Sequence, residues 1–125
     1  MDSPNSPMPL PRPIEEYESV GVWQNGLREQ WGSDPLEEEP EKLETLAAFC
    51  EFIEKDPDEL VAFCFLRRKQ TGERFGSVKR REQVVEQLRE FRKRSGLTGM
   101  SARQLVNHVL SFLIHNGVLI NPGMV

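Results

Sequence analysis

The chain has 125 residues, 38% of them hydrophobic and 29% charged, the composition of one soluble globular domain with room for a modest core. Its longest apolar run, residues 60–66, is seven residues. A membrane span needs roughly 18 to 20, so no membrane partner is expected, and the N-terminus lacks the basic start and apolar stretch of a secretory signal. The net charge of −4 conceals a split: residues 1–66 carry 16 acids and 4 bases, whereas residues 67–125 carry 12 bases and 4 acids. An acidic half beside a basic half points to a polyanion-binding surface, unless the two neutralise each other within one fold.

Residues 1–13 hold five of the nine prolines, with few apolar residues, and predict a disordered or polyproline-like segment. Between residues 14 and 36 the signal is weak. Val20, Trp23, Leu27 and Trp31 fall near one helical face, but Gly21, Gly26 and Gly32 interrupt it. The reading is a short extension that lays its tryptophans on the core, followed by an acidic linker at residues 33–39. Residues 1–40 are therefore expected to form a disordered or loosely packed arm.

The first clear helix is predicted over residues 41–54, with Leu43, Leu46, Ala47, Cys50 and Ile53 facing inward. Asp56-Pro57-Asp58-Glu59 then supplies a cap, a proline at the first helical position and acids in the first turn, so a second helix is predicted from Pro57 to about Lys69. Residues 70–76 (QTGERFG) read as a loop. Ser77 caps a third helix over residues 78–94, ended by Ser95-Gly96. The fourth opens at Ser101, with Gln104 three residues on as the partner of a capping box, and stops at Asn116-Gly117. Leu105, Val106, Val109, Leu110, Phe112 and Leu113 make its apolar face wide enough for a central helix. Its remainder is unusual, because Arg103, Gln104, Asn107, His108, Ser111 and His115 are hydrogen-bonding types rather than the Glu and Lys of an ordinary solvated face. The expected fold class is all-α, a four-helix bundle spanning residues 41–120, with residues 121–125 leaving the domain.

Catalytic chemistry finds little support. His108 and His115 are seven apart with no cysteine or paired carboxylate at ligand spacing, so no metal is expected. No nucleophile motif, dinucleotide loop or phosphate loop is present, so neither a cofactor nor a small-molecule substrate is expected. Cys50 and Cys64 each sit in an apolar helical pattern and read as buried free thiols, which implies a reducing, cytoplasmic compartment. Nucleic-acid binding has more support. Arg67, Arg68, Lys69 and Arg74 flank the glycine loop and Lys79, Arg80 and Arg81 follow at a helix start, where backbone N–H groups and cations converge on phosphates. Arg103, Gln104 and Asn107 are types that hydrogen-bond base edges or phosphates. The competing reading is a protein-interaction bundle that docks a partner through the acidic arm and exposed Trp23 and Trp31.

The segment TLAAFCEFIEKDPDELVAF, with Leu46 to Phe52 and Pro57 to Leu60, resembles the core-binding domain of tyrosine recombinases of the phage-integrase type. VEQLREFRKRSGL, and the pattern of Ser101, Val109, Ser111, Phe112, Asn116, Gly117, Val118 and Ile120, resemble its later helices. Asn121-Pro122 is similar to the start of the link to the family's catalytic domain. The resemblance implies an orthogonal SAM-like bundle that forms half of a clamp on duplex DNA, with further recombinase protomers as partners and the chemistry in a second domain. It implies DNA contact by Lys79, Arg80, Ser101, Arg103, Gln104 and Asn107, and no catalysis by this chain.

Overall fold

The computed structural model describes residues 10–125. Among these residues the fold is mostly helical, with one two-stranded antiparallel sheet. In chain order, a 3-10 turn at Ile14–Glu16 leads into α1 (Glu18–Trp31), the single-turn α2 (Pro35–Glu38), α3 (Glu41–Ile53) and α4 (Pro57–Phe63). The hairpin β1 (Phe65–Arg67) and β2 (Arg74–Gly76) follows, then α5 (Val78–Ser95), α6 (Gly99–His115) and a terminal 3-10 turn at Pro122–Met124.

The local signals for α3, α4 and α5 act as expected. Asp56 and Glu59 form the capping box of α4: the Glu59 N–H donates to Asp56 Oδ1 at 2.7 Å and the Asp56 N–H donates to Glu59 Oε1 at 3.1 Å. Ser77 Oγ accepts the Arg80 N–H at the start of α5. Helix α6 closes in a Schellman motif, with Gly117 at φ +82° and the Val118 N–H donating to the Leu113 carbonyl at 2.9 Å. This turn drives Val118 into the core, where it is buried.

Helix α6 packs against α1, α3 and α5 and so occupies the centre of the molecule. Val109, Phe112 and Leu113 from α6 meet Leu46, Phe49 and Cys50 from α3, Val84 and Leu88 from α5, and Leu60 from α4, all fully or nearly fully buried. Both cysteines lie inside this core as free thiols. Burial pushes the Cys64 thiol up to about 11 and raises the Cys50 thiol further, which disfavours the thiolate that a nucleophile or metal ligand requires.

Three expectations need correction. First, the N-terminal extension is not loosely packed beyond residue 16. Tyr17, Val20, Trp23, Leu27 and Leu36 are all buried, so α1 and α2 belong to the same core as α3–α6 and residue 40 is not a packing boundary. Gly21 and Gly26 do not break the helix because its amphipathic face is buried, and tertiary burial outweighs roughly 1 kcal/mol of propensity per glycine. Gly26 makes room for a neighbour: a Cβ there would lie 2.3 Å from the His115 ring, which would have to shift. For residues 1–9, the prediction of a disordered or polyproline-like segment lies outside the described residues. Second, the helix predicted from Pro57 to Lys69 stops at Phe63. The Cys64 carbonyl accepts the Ser77 N–H, and the strand-like run Phe65-Leu66-Arg67 pairs with Arg74-Phe75-Gly76, part of which was predicted as loop. Third, α6 starts at Gly99, and its N-cap residue is Thr98. Ser101 therefore lies in the first turn, and no Ser101–Gln104 capping box forms.

Candidate nucleic-acid interface

Seven of the expected contact residues lie on one stretch. Residues 65–81 contain Arg67, Arg68, Lys69, Arg74, Lys79, Arg80 and Arg81 with Glu73 as the single acid. The hairpin turn that presents the first four is closed by Arg68 and Glu73: the Arg68 N–H donates to the Glu73 carbonyl at 2.8 Å. Gly72, at φ +71°, makes the left-handed step that this turn needs. Its N–H donates to the Arg68 carbonyl, and its own carbonyl accepts from Arg67 Nη1 at 2.9 Å.

The register places Arg67 directly opposite Arg74. Like charges at a cross-strand pair repel, and no carboxylate pairs with either among the described residues. Arg74 instead lies over the Phe65 ring at 3.7 Å and Arg68 over Phe75 at 5.1 Å, so the aromatic side chains support the guanidinium groups without neutralising them. The only ion pair here among the described residues is the exposed Arg68–Glu73 contact at 3.8 Å, which is worth little in solvent.

At the start of α5 the same residue type does different work. Lys79 is exposed and pairs with no acid among the described residues. Arg80 Nη1 donates to the Phe63 carbonyl at 3.2 Å, and its guanidinium lies over the Phe63 ring. Arg81 Nη1 donates to the Leu119 carbonyl at 2.9 Å, with its Nε buried. These two arginines tie α5 to α4 and to the C-terminal tail, so the cations presented to solvent are Arg67, Arg68, Lys69, Arg74 and Lys79.

Ser101, Arg103, Gln104 and Asn107 are exposed on the first turns of α6. They are not brought to the hairpin. Val78 and Ser95 mark the two ends of α5, about 25 Å apart at a rise of 1.5 Å per residue, so the two groups occupy opposite ends of that helix. Arg103 and Asn107 border a depression of about 350 Å³ with Arg92, Pro122 and Val125. Arg92, whose Nη1 donates to the Val125 carbonyl, was not among the expected contacts. The three-residue link between α5 and α6 was the available signal, because it obliges the last turn of α5 to adjoin the first turn of α6. The N-terminus of α6 has no acid in its first turn and no side-chain cap, which leaves its N–H groups facing outward.

The rest of the polar stripe on α6 is consumed within the fold. Trp23 Nε1 donates to Ser111 Oγ at 3.0 Å, with the indole edge-on to Phe112 at 5.6 Å. Asn116 Nδ2 donates to the Ser19 and Phe112 carbonyls. His115 Nδ1 bonds the Ser111 carbonyl at 2.8 Å, and its ring sits against Gly26. His108 is half-buried near Lys42; burial and that cation together hold its pKa below the usual histidine value. No group of three side chains able to hold a metal ion occurs among the described residues, and no helix there is long and apolar enough to cross a membrane. Comparison with protein-family models, with curated proteins and with solved structures finds no match to the chain.

Proposed function

We propose that the chain is a duplex-DNA-binding module that does no chemistry itself, of the kind that forms the core-binding half of an integrase-like recombinase. The observation that carries this reading is the hairpin. Arg67 and Arg74 face each other across it without a counter-ion, flanked by Arg68, Lys69 and Lys79. Such an arrangement costs folding energy and is relieved by a polyanion. In this reading the hairpin and Lys79 hold phosphates, while Arg103 and Asn107 reach into a groove some 25 Å away by the helix rise. That spacing fits two contacts along one duplex, whose turn is about 34 Å. The recombinase assignment rests on the motif pattern of residues 46–60 and 101–122, and other recombinase protomers are the partners it implies.

Titration of a duplex against the protein, at two salt concentrations, tests the reading. Replacing Arg67, Arg68, Lys69 and Arg74 together by Gln is expected to weaken binding at least about tenfold, and to lower the slope of log affinity against log salt by about 4. Unchanged affinity and slope in that variant would remove the DNA reading.

A further inference from the structure

The two tryptophans have opposite fates. Trp23 is fully buried, whereas Trp31, at the C-terminal end of α1, is 65% exposed. Ile114, on the outer side of α6, is 55% exposed. Both border one open groove of about 630 Å³ between the end of α1, the outer side of α6 and the start of α3. A second depression, of about 370 Å³, adjoins it, sharing Leu27, Trp31, Glu39 and Lys42 and continuing against Pro35 and Glu38. Trp31 thus borders two adjoining hollows and offers an apolar anchor to a ligand seated in them.

The rim of the groove has a definite sign. Glu39 and Glu41 line this groove and Glu38 and Glu39 the smaller one, and Glu37 and Glu44 are exposed nearby on α2 and the start of α3. The two cations on this side are already engaged: Lys42 pairs with Glu39 at 3.5 Å and Arg28 with Asp34 at 2.6 Å. Glu37, Glu38, Glu41 and Glu44 have no counter-ion among the described residues. The groove thus combines exposed aromatic and aliphatic side chains with an uncompensated negative border. A nucleic acid would be repelled by that border, and an uncharged apolar segment would leave it unused.

We infer that this groove docks a basic, apolar-anchored segment of another protein, with the anchor on Trp31 and Ile114 and lysines or arginines facing Glu37–Glu44. The complement is a helix or strand that places apolar residues on one face and cations on the other. Trp31 also offers its ring face to one of those cations. This docking uses none of the hairpin, and it shares only the Gln104–Asn107 edge of the groove with the DNA reading.

The test uses the full chain and a labelled helical probe of about fourteen residues, four turns long, with leucines on one face and lysines elsewhere. A control peptide keeps the leucines and replaces every lysine by glutamate. Fluorescence anisotropy reports binding, and tryptophan emission reports Trp31, because Trp23 is sealed from solvent. The lysine peptide is expected to bind and to shift that emission. Trp31→Ala is expected to weaken it about tenfold, as loss of a central aromatic anchor does. A Glu37→Gln, Glu38→Gln, Glu41→Gln, Glu44→Gln variant is expected to weaken it by a similar factor through the loss of several ion pairs. Ile114→Ser provides a second apolar test should Trp31→Ala fold poorly. Equal binding of the two peptides, or lysine-peptide affinity untouched by Trp31→Ala and Ile114→Ser, would overturn the inference. So would sedimentation showing a self-association of this chain that Trp31→Ala abolishes, since the occupant would then be a second copy.

Discussion

The seam between α1 and α6 and the hairpin before α5 are both rich in polar side chains, and they treat them in opposite ways. At the seam, Trp23 Nε1, Ser111 Oγ, Asn116 Nδ2 and His115 Nδ1 each reach a partner. On the hairpin, Arg67 and Arg74 stand opposite one another with no carboxylate to answer them. A buried polar group left without a partner costs about 1–3 kcal/mol, so most groups at the seam are paired, with Tyr17 Oη and Ser19 Oγ the exceptions at the start of α1. Exposed cations pay almost no such penalty and remain available to a ligand. The difference separates residues that build the molecule from residues that it presents.

The strongest way to break the seam is Trp23→Ala. It removes a fully buried indole, its edge contact with Phe112 and the bond to Ser111. A loss of about 3–5 kcal/mol is expected, measured as the shift in denaturant midpoint. A loss below about 1 kcal/mol would mean that α1 contributes little to the core. On the hairpin the expected sign is reversed. Arg67→Thr places a strand-favouring neutral residue opposite Arg74 and should raise stability by about 0.2–0.5 kcal/mol while weakening duplex binding. A stability loss in that variant would show that Arg67 is a structural residue, held by its bond to the Gly72 carbonyl.

The smallest effect concerns His108, which lies between seam and surface. Its pKa in the fold is lowered, first by burial and then by Lys42. The unfolded chain therefore takes up a proton at a higher pH than the fold does. Stability from this residue is whole above about pH 6.5, the ordinary histidine value, and is lost as pH falls below it. Melting the native protein and His108→Gln in parallel from pH 8 to pH 5 should show the native protein losing more. The difference is expected to be small, because the ring is only half-buried. A native protein that gains on Gln as pH falls would reverse the assignment.

Much of the helical framework was readable along the chain. The caps at Asp56 and Ser77, the Asn116-Gly117 stop and the inward faces of α3, α5 and α6 depend on neighbours within a few residues, and such signals survive folding unchanged. The hairpin was harder to read. Residues 57–69 carry a strong helix start, but the switch to a strand after Phe63 depends on partners at Arg74–Gly76, across the hairpin turn. Helix α1 was obscured for a similar reason. Gly21 and Gly26 look like interruptions until His115, 89 positions later, is seen to need the space above Gly26.

The candidate site divides along the same line. Sequence alone determined the charge split, the concentration of cations between residues 67 and 81, and the polar character of α6. It had no means of sorting residues of one type by role. Tertiary structure decided that Arg80 and Arg81 tie α5 to distant backbone carbonyls, while Arg67 bonds only within its own hairpin turn and Arg74 lies over Phe65. It buried Trp23 and exposed Trp31, and it gave Ser111 and His115 to α1 while leaving Arg103 and Asn107 to solvent. Charge and periodicity are properties of a residue and its near neighbours. Whether a polar group is spent or offered depends on which distant groups the packing brings within about 3 Å of it, the reach of a hydrogen bond.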